Sequence, residues 1–271
     1  MSIDNFKGKL LVCDMDGTLL NSRHQVSEEN RKALQHFVRN GGLFTVATGR
    51  NEISVRDFIH ELPICAPVIV YNGASIYDFP SGRIFWHRYL DNSAKAIVEE
   101  LMNVFPELGV EVYQGEDIYF VRENEITFDH LSRETFVPVR IPLSEVPFPW
   151  VKVLLAWDNK NLKEVEEYLN KKQLGFRHVF SEPFFLELLN FEATKGHALK
   201  ELTGILGIPA SSVIAMGDNP NDEELLEFAG TGIAVSNAHD VLKRVANLFC
   251  CHHDENAVSQ VIGWLEKGVL A

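Results

Sequence analysis

The sequence predicts an α/β protein with two domains. Toward both ends of the chain, short apolar segments of strand length alternate with amphipathic helical segments, the pattern of a parallel sheet covered by helices. At 271 residues the chain exceeds the usual size of one domain, so two are expected. The middle of the chain combines strand-like segments with a Pro-rich stretch, which favours a separate α+β unit.

The first predicted strand, residues 10–13, ends in two carboxylates. Asp14 and Asp16 are two residues apart, so an extended chain sends both side chains to the same side. Gly17 follows and supplies a turn that other residues adopt only with strain. Like charges in a poorly solvated position are costly unless a cation compensates them. The pattern therefore indicates a site for a divalent metal and a phosphate, with a plain acidic turn as the alternative.

The spacing also suggests a chemistry. Asp14 can attack phosphorus and form an aspartyl-phosphate that water later hydrolyses. Asp16 is placed to protonate the leaving alkoxide and then to activate the water. Because a carboxylate is a weak nucleophile toward a dianion, Mg²⁺ is the implied cofactor, since it prefers oxygen ligands and often shares carboxylates with a substrate phosphate.

The remaining elements of the two ends follow in order. A helix is predicted after Ser27, ending at Gly41, because Ser is a preferred N-cap and Gly a preferred terminator. A second helix is predicted over residues 52–61 and a strand over 68–71. Four more helical segments are predicted from apolar faces at Leu199, Leu202, Ile205 and Leu206; Leu225, Leu226 and Phe228; Val241, Leu242 and Val245; and Val258, Val261, Ile262 and Leu265.

The middle segment predicts two helices covering an antiparallel sheet. One helix begins at Ser93, and the other carries Leu162, Val165, Tyr168 and Leu169 on one face. Strands are predicted over residues 110–113, 118–121, 151–157, 176–180 and 184–188.

Four segments resemble, in chain order, the four motifs of the haloacid dehalogenase superfamily. They are residues 14–18 (DMDGT), 41–50 (GGLFTVATGR) with Thr48, 193–199 (ATKGHAL) with Lys195, and 212–222 (SVIAMGDNPND) with Asp218. Taken singly, Thr48 is as well explained as a strand-end hydroxyl and Lys195 as an exposed helix lysine. The order of all four motifs carries the resemblance.

The resemblance implies a role for each motif residue. Mg²⁺ ligation is implied for the Asp14 carboxylate, the Asp16 backbone carbonyl and Asp218. Binding of phosphoryl oxygens is implied for the Thr48 hydroxyl, the Lys195 ammonium, the Asn221 side chain and the backbone amides near Met15 and Gly49. Asp222 and Asn72 are expected to lie behind these groups and to orient them.

The spacing of the motifs resembles the class IIB, or Cof-type, members, which carry a large cap between the second and third motifs. Residues 67–74 (PVIVYNGA) and 232–238 (GIAVSNA) add to this resemblance. It implies a Rossmann-like three-layer α/β/α core with a parallel sheet, formed by residues 1–84 and 187–271, and an inserted α+β cap of residues 85–186. Glu224 and the segment 255–258 (ENAV) depart from the usual pattern, outside the proposed chemistry.

Composition limits the partners and the location. The formal net charge of −13 argues against nucleic-acid backbones, which are bound by clustered Lys and Arg. No apolar run approaches the length of a membrane span, and the polar N-terminus lacks a signal peptide, so we expect a cytoplasmic protein.

The four cysteines predict neither a disulfide framework nor a zinc site. Residues 250–253 (CCHH) cannot all converge on one ion if they form a strand, since neighbours alternate faces.

The predicted function is Mg²⁺-dependent hydrolysis of small phosphomonoesters, foremost sugar phosphates, through an aspartyl-phosphate. The expected partners are small phosphorylated metabolites, and the protein is expected to be a monomer, with a dimer as the alternative. A phosphomutase would use the same aspartyl-phosphate but require a bisphosphate activator. A non-catalytic sensor of a phosphorylated ligand is the other alternative, although binding alone does not need Asp16.

Overall fold

The computed structural model describes residues 5–115, 117–133 and 136–270. Within these ranges the strands are β1 (Leu10–Cys13), β2 (Leu43–Val46), β3 (Val68–Val70), β4 (Ser75–Asp78), β5 (Arg83–His87), β6 (Gly109–Gln114), β7 (Asp117–Arg122), β8 (Val139–Arg140), β9 (Lys152–Ala156), β10 (Arg177–Glu182), β11 (Phe185–Leu189), β12 (Val213–Gly217), β13 (Thr231–Ala234) and β14 (Leu248–Phe249). The α-helices are α1 (Glu28–Arg39), α2 (Glu52–Ile59), α3 (Ser93–Val104), α4 (Glu125–Arg133), α5 (Asn159–Asn170), α6 (Lys195–Leu206), α7 (Glu223–Phe228), α8 (Asp240–Val245) and α9 (Ala257–Glu266).

The described chain forms two compact units. One contains the residues up to Asn51, the segment Val55–Trp86 and the residues from Thr194 onward. The other contains Glu52–Ser54 and His87–Ala193. None of the described helices has the length and apolar character needed to cross a membrane.

The first unit is built on a five-stranded parallel sheet of order β14-β13-β12-β1-β2. Its central strands β1 and β12 are buried along their whole length, which explains their continuous apolar sequence. Cys13 pairs with Met216 on one side and with Val46 on the other. The carboxyl ends of the three strands are therefore level, and the residues that follow them meet at one edge of the sheet. The predicted α/β core is confirmed.

Local sequence signals set the helix ends in this unit. Ser27 caps α1, its Oγ accepting a hydrogen bond from the Asn30 amide at 3.1 Å, as predicted. Thr194 caps α6 in the same way through the His197 amide at 3.0 Å. Because this cap fixes the first turn, Lys195 is the first helical residue and points into the site described below. Helix α2 ends at Ile59, two residues before its predicted end.

The second unit contains a six-stranded sheet of order β10-β11-β9-β6-β7-β8. Two predictions for this segment are wrong. The sheet is mixed rather than antiparallel, because β8 pairs with β7 in parallel. A third helix, α4, accompanies α3 and α5. It is short and polar, and reciprocal hydrogen bonds between Asn124 and Thr127 at its start stabilise it in place of a long apolar face.

Candidate active site

Three carboxylates meet at the carboxyl edge of the parallel sheet. Asp14 follows β1, Asp218 follows β12, and Asp222 lies one turn beyond Asp218. One oxygen from each lies within 4.8 Å of the others, and all three side chains are buried. The sequence predicted that Asp14 and Asp218 would lie close together, and the register of β1 and β12 brings them there.

The Lys195 ammonium lies between two of these carboxylates. Its Nζ donates to Asp14 Oδ1 at 2.6 Å and to Asp222 Oδ1 at 2.5 Å, and its side chain is fully buried. Burial alone lowers the pKa of a lysine, but the charges of Asp14 and Asp222 outweigh it and raise the pKa of Lys195. Lys195 is therefore a fixed positive charge next to the proposed nucleophile.

Asp222 organises the backbone of this cluster. Its Oδ2 accepts hydrogen bonds from the amides of Asp218 and Asn219, at 3.1 and 3.2 Å, while Oδ1 accepts from Lys195. Both oxygens are therefore used within the protein. Gly217 is needed here because a side chain at that position would collide with Asp222.

Asp14 and Asp218 are electrostatically crowded. Burial raises the pKa of Asp14 well above its usual value, and the charges of Asp222 and Asp218 add to this against the opposing effect of Lys195. Burial and the Asp222 charge raise the pKa of Asp218 to about 7. One buried ammonium does not compensate three buried carboxylates. This surplus of oxygen donors and negative charge suits a divalent cation, which the cluster of Asp14, Asp218 and Asp222 has the geometry to hold.

Gly17 lets the first motif turn against Asp218. Its φ of +83° lies in the region that favours glycine, and a Cβ there would collide with the Asp218 carboxylate. The turn is closed by the Met15 carbonyl, which accepts from the amides of Leu19 and Leu20 at 3.1 and 2.8 Å. The Met15 side chain is fully buried.

The sequence predicts phosphate release that depends on Asp218, and on that expectation Gly17→Ala should reduce it about 100-fold, because displacing a site carboxylate by about 1 Å has costs of this order. The forced φ should also lower the free energy of unfolding by about 1–2 kcal/mol. Gly207→Ala is the matched control: Gly207 has a φ of +66° and no neighbouring atom within 4 Å of an added Cβ. It should show the stability loss with normal turnover. Equal activity of the two variants would contradict the positioning of Asp218 by Gly17.

Thr48 lies at the neighbouring strand end, after β2. It is buried, its amide donates to Ile69 O at 2.9 Å, and its Oγ accepts from the Arg50 amide at 3.1 Å. Its carbonyl accepts from the Asn72 amide at 2.9 Å, which ties the second motif to the turn after β3.

Asn72 and Asn221 form an amide pair across the edge of the sheet. Asn221 Nδ2 donates to Asn72 Oδ1 at 2.8 Å, and Asn72 adopts a φ of +54°. Within the described part of the chain, the buried Asn221 Oδ1 has no hydrogen-bond partner. Gly49 adjoins this pair: a Cβ there would lie 3.1 Å from the Asn72 side chain. Asn72 and Asn221, which are 149 positions apart in the chain, therefore meet at this edge, a contact that the sequence reasoning did not predict.

The Asp16 carboxylate is bound by two basic side chains. It accepts hydrogen bonds from Arg50 Nε and a terminal nitrogen at 2.7 and 2.8 Å, and from His24 Nδ1 at 3.3 Å. Burial tends to raise its pKa, but the Arg50 and His24 interactions outweigh this and lower it. Arg50 is a site residue that the sequence reasoning missed, although it stands two residues after Thr48 at the same strand end.

The chain is similar to known hydrolases along most of its length. The family model for haloacid dehalogenase-like hydrolases matches residues 11–262, a range that includes every site residue named above. Phosphatase YwpJ of Bacillus subtilis is 32% identical over 94% of this chain and 98% of its own length. A second B. subtilis protein, the 5-amino-6-(5-phospho-D-ribitylamino)uracil phosphatase YwtE, is 32% identical over 97% of this chain and all of its own.

Solved structures agree with the fold. A haloacid dehalogenase-like hydrolase from B. subtilis superposes with a TM-score of 0.83 at 30% identity, covering 94% of this chain and 99% of that one. Another from Bacteroides thetaiotaomicron gives the same TM-score at 28% identity, over 94% and 98% of the two chains.

Proposed function

This chain belongs to the haloacid dehalogenase-like hydrolase family, and from that premise we propose that it is a Mg²⁺-dependent phosphatase of small phosphomonoesters, foremost sugar phosphates. The observation that carries the proposal is the buried ammonium of Lys195 bound to the Asp14 carboxylate, with Asp218 beside them. A cation fixed at a nucleophile is the arrangement needed to bring a phosphate dianion against a carboxylate.

In the first step, an oxygen of Asp14 forms a bond to phosphorus as the bond to the ester oxygen breaks, giving an aspartyl-phosphate and an alcohol. Lys195 offsets the negative charge on the phosphoryl group. The Thr48 hydroxyl, the Asn221 amide and the backbone amides near Met15 and Gly49 bind the phosphoryl oxygens. Mg²⁺, held by Asp14, the Asp16 carbonyl and Asp218, would supply further charge neutralisation for the transferring group.

Asp16 is the proposed acid and base. It gives a proton to the departing alkoxide and then takes one from the water that hydrolyses the aspartyl-phosphate, a role worth about 10²–10⁴ in rate. Its ion pair with Arg50 favours the ionised form, which suits the second step. For the first step the carboxyl group has to carry a proton, so we infer that it separates from Arg50 when substrate binds.

The substrate class is supported by the relatives. Three B. subtilis proteins similar to this chain, at 25–32% identity, are named as phosphatases of 5-amino-6-(5-phospho-D-ribitylamino)uracil, in which the phosphate esterifies a sugar alcohol. Phosphate on a polyhydroxylated carbon chain is also the chemistry of sugar phosphates. We therefore propose a sugar or sugar-alcohol phosphate as the substrate.

Release of inorganic phosphate from a panel of esters tests the proposal. The panel contains hexose and pentose phosphates, ribitol 5-phosphate, nucleotides and a chromogenic aryl phosphate, each with and without Mg²⁺. We expect Mg²⁺-dependent release that is fastest for the sugar and sugar-alcohol esters. Isomerisation of a sugar phosphate that requires a bisphosphate activator, without release of inorganic phosphate, would instead establish a phosphomutase. Mg²⁺-dependent ligand binding without release from any ester would establish a sensor.

A further inference from the structure

A second group of metal-binding side chains lies on the turn between β14 and α9. His252, His253 and Asp254 each offer one donor atom, and these atoms all lie within 4.8 Å of one another. Asp254 Oδ2 is 3.6 Å from His252 Nδ1 and 3.8 Å from His253 Nε2. Ligands about 2.0–2.1 Å from a tetrahedral ion are about 3.4 Å apart, so small side-chain adjustments would complete such a site.

His253 is already oriented for this role. Its Nδ1 lies 2.8 Å from Leu20 O, and a carbonyl oxygen can only accept, so Nδ1 carries the proton. Nε2, the ring nitrogen that a neutral imidazole then leaves free to bind a metal, lies 3.8 Å from Asp254 Oδ2. Histidine ligands of metals typically donate their other ring N–H to a carbonyl or carboxylate in this way. The side chain is 12% exposed, which limits its freedom to turn away.

Ser22 positions Asp254. The Ser22 amide donates to Asp254 Oδ1 and its hydroxyl donates to Asp254 Oδ2, both at 2.7 Å. Ser22 Oγ also lies 3.5 Å from His253 Nε2. One existing hydrogen bond would compete with a metal ion for His252. The Nδ1 atom of His252 accepts it from the Asp254 amide, at a long 3.2 Å. Metal binding would replace that weak hydrogen bond.

We propose that His252, His253 and Asp254 form a binding site for a divalent transition-metal ion of the Zn²⁺ type. Imidazole nitrogens favour such ions over Mg²⁺, so this site differs in selectivity from the carboxylate site at Asp14 and Asp218. The neighbouring thiols take no part: Cys250 is buried, and Cys251 Sγ donates to Glu255 O at 3.3 Å. The alternation of strand faces expected for residues 250–253 does not apply, because β14 ends at Phe249, and two of these residues converge with Asp254.

The proposed metal site lies where the loop after the first motif contacts the turn before α9. Leu20 and Ser22 belong to the loop that follows the first motif, and His24 of the same loop contacts Asp16. A metal ion held by residues 252–254 would strengthen the link between this loop and the C-terminal part of the first unit, because Leu20 and Ser22 hydrogen-bond to His253 and Asp254. We therefore expect Zn²⁺ binding to stabilise the fold.

Calorimetric titration of the full chain with ZnCl₂ tests the site. Asp218→Asn serves as the background, because it weakens ion binding at the carboxylate site. We expect this protein to bind one equivalent of Zn²⁺ and to melt at a higher temperature when Zn²⁺ is added. Adding His253→Asn or His252→Ala should weaken binding about 10–100-fold and remove the thermal shift. His253→Asn retains an N–H donor for Leu20 O, so it should keep the fold.

The matched control is His36→Ala in the same background. It removes another surface histidine, which is not one of the three proposed ligands. The Nε2 atom of His36 pairs with Glu266 Oε1 at 2.6 Å. This variant should bind Zn²⁺ like its parent. The site would be refuted if Asp218→Asn bound no Zn²⁺. It would also be refuted if the His252, His253 and His36 variants bound Zn²⁺ with equal affinity. Neither result bears on phosphatase activity, which the ester panel tests separately.

Discussion

Replacing Asp14 with asparagine should lower phosphate release by about 10⁴-fold or more, because the substitution removes the nucleophile and leaves only binding contributions. The fold should survive, since Asn Oδ1 can still accept from Lys195, and the substitution removes a carboxylate whose pKa burial has raised. The measurement is phosphate release under saturating Mg²⁺ together with the denaturant midpoint.

Asp240→Asn is the matched control for this substitution. It removes one carboxylate from the same unit at a side chain that is 92% exposed and outside the site. Its turnover should equal that of the parent protein. Appreciable residual release by Asp14→Asn, with the sample free of parent enzyme, would remove Asp14 from the role of nucleophile.

Replacing Lys195 with methionine should have the second largest effect. Methionine fills similar space without charge, so Asp14 and Asp222 lose the ammonium that each contacts. Breaking a buried ion pair by removing one partner costs about 3–5 kcal/mol of unfolding free energy. Loss of a charged group at the phosphoryl site should lower turnover about 10²–10³-fold. The affinity for inorganic phosphate should fall as well. Equilibrium unfolding, phosphate release and inhibition by inorganic phosphate measure these three consequences.

Lys172→Met provides the comparison. Lys172 pairs with Glu100 at 2.7 Å, but both side chains are partly exposed to solvent. Such pairs contribute about 0–1 kcal/mol, so this variant should unfold almost like the parent protein. A normal affinity of Lys195→Met for inorganic phosphate would contradict the proposed contact between Lys195 and the phosphoryl group.

Local patterns were sufficient to predict much of the core. The apolar run before Asp14 and the Ser27 cap are short-range signals, and the strands and helices they predict are present. The second unit was harder to predict. Helix α4 and strand β8 have little apolar periodicity, and the parallel pairing of β8 with β7 joins segments that no local signal links.

Some contacts of the candidate site could be expected from the sequence, and others could not. Asp14 and Asp218 were expected at one site because residues that follow parallel strands meet at one edge of the sheet, whereas Lys195 was expected there only from the family resemblance. The partner of Asp16 was not predicted. An Arg50–Asp16 ion pair depends on side-chain direction at the ends of two adjacent strands, which residue spacing does not specify.

By itself, the sequence determined the α/β core, the two carboxylates after the first strand and the family resemblance, since each depends on local periodicity or on motifs in fixed order. The tertiary structure alone decided which groups share a charge environment. It placed Lys195 between Asp14 and Asp222, turned Asp16 toward Arg50, and set His253 against Leu20. These contacts join residues up to 233 positions apart, and their distances and burial follow from packing of the whole unit rather than from any segment of the chain.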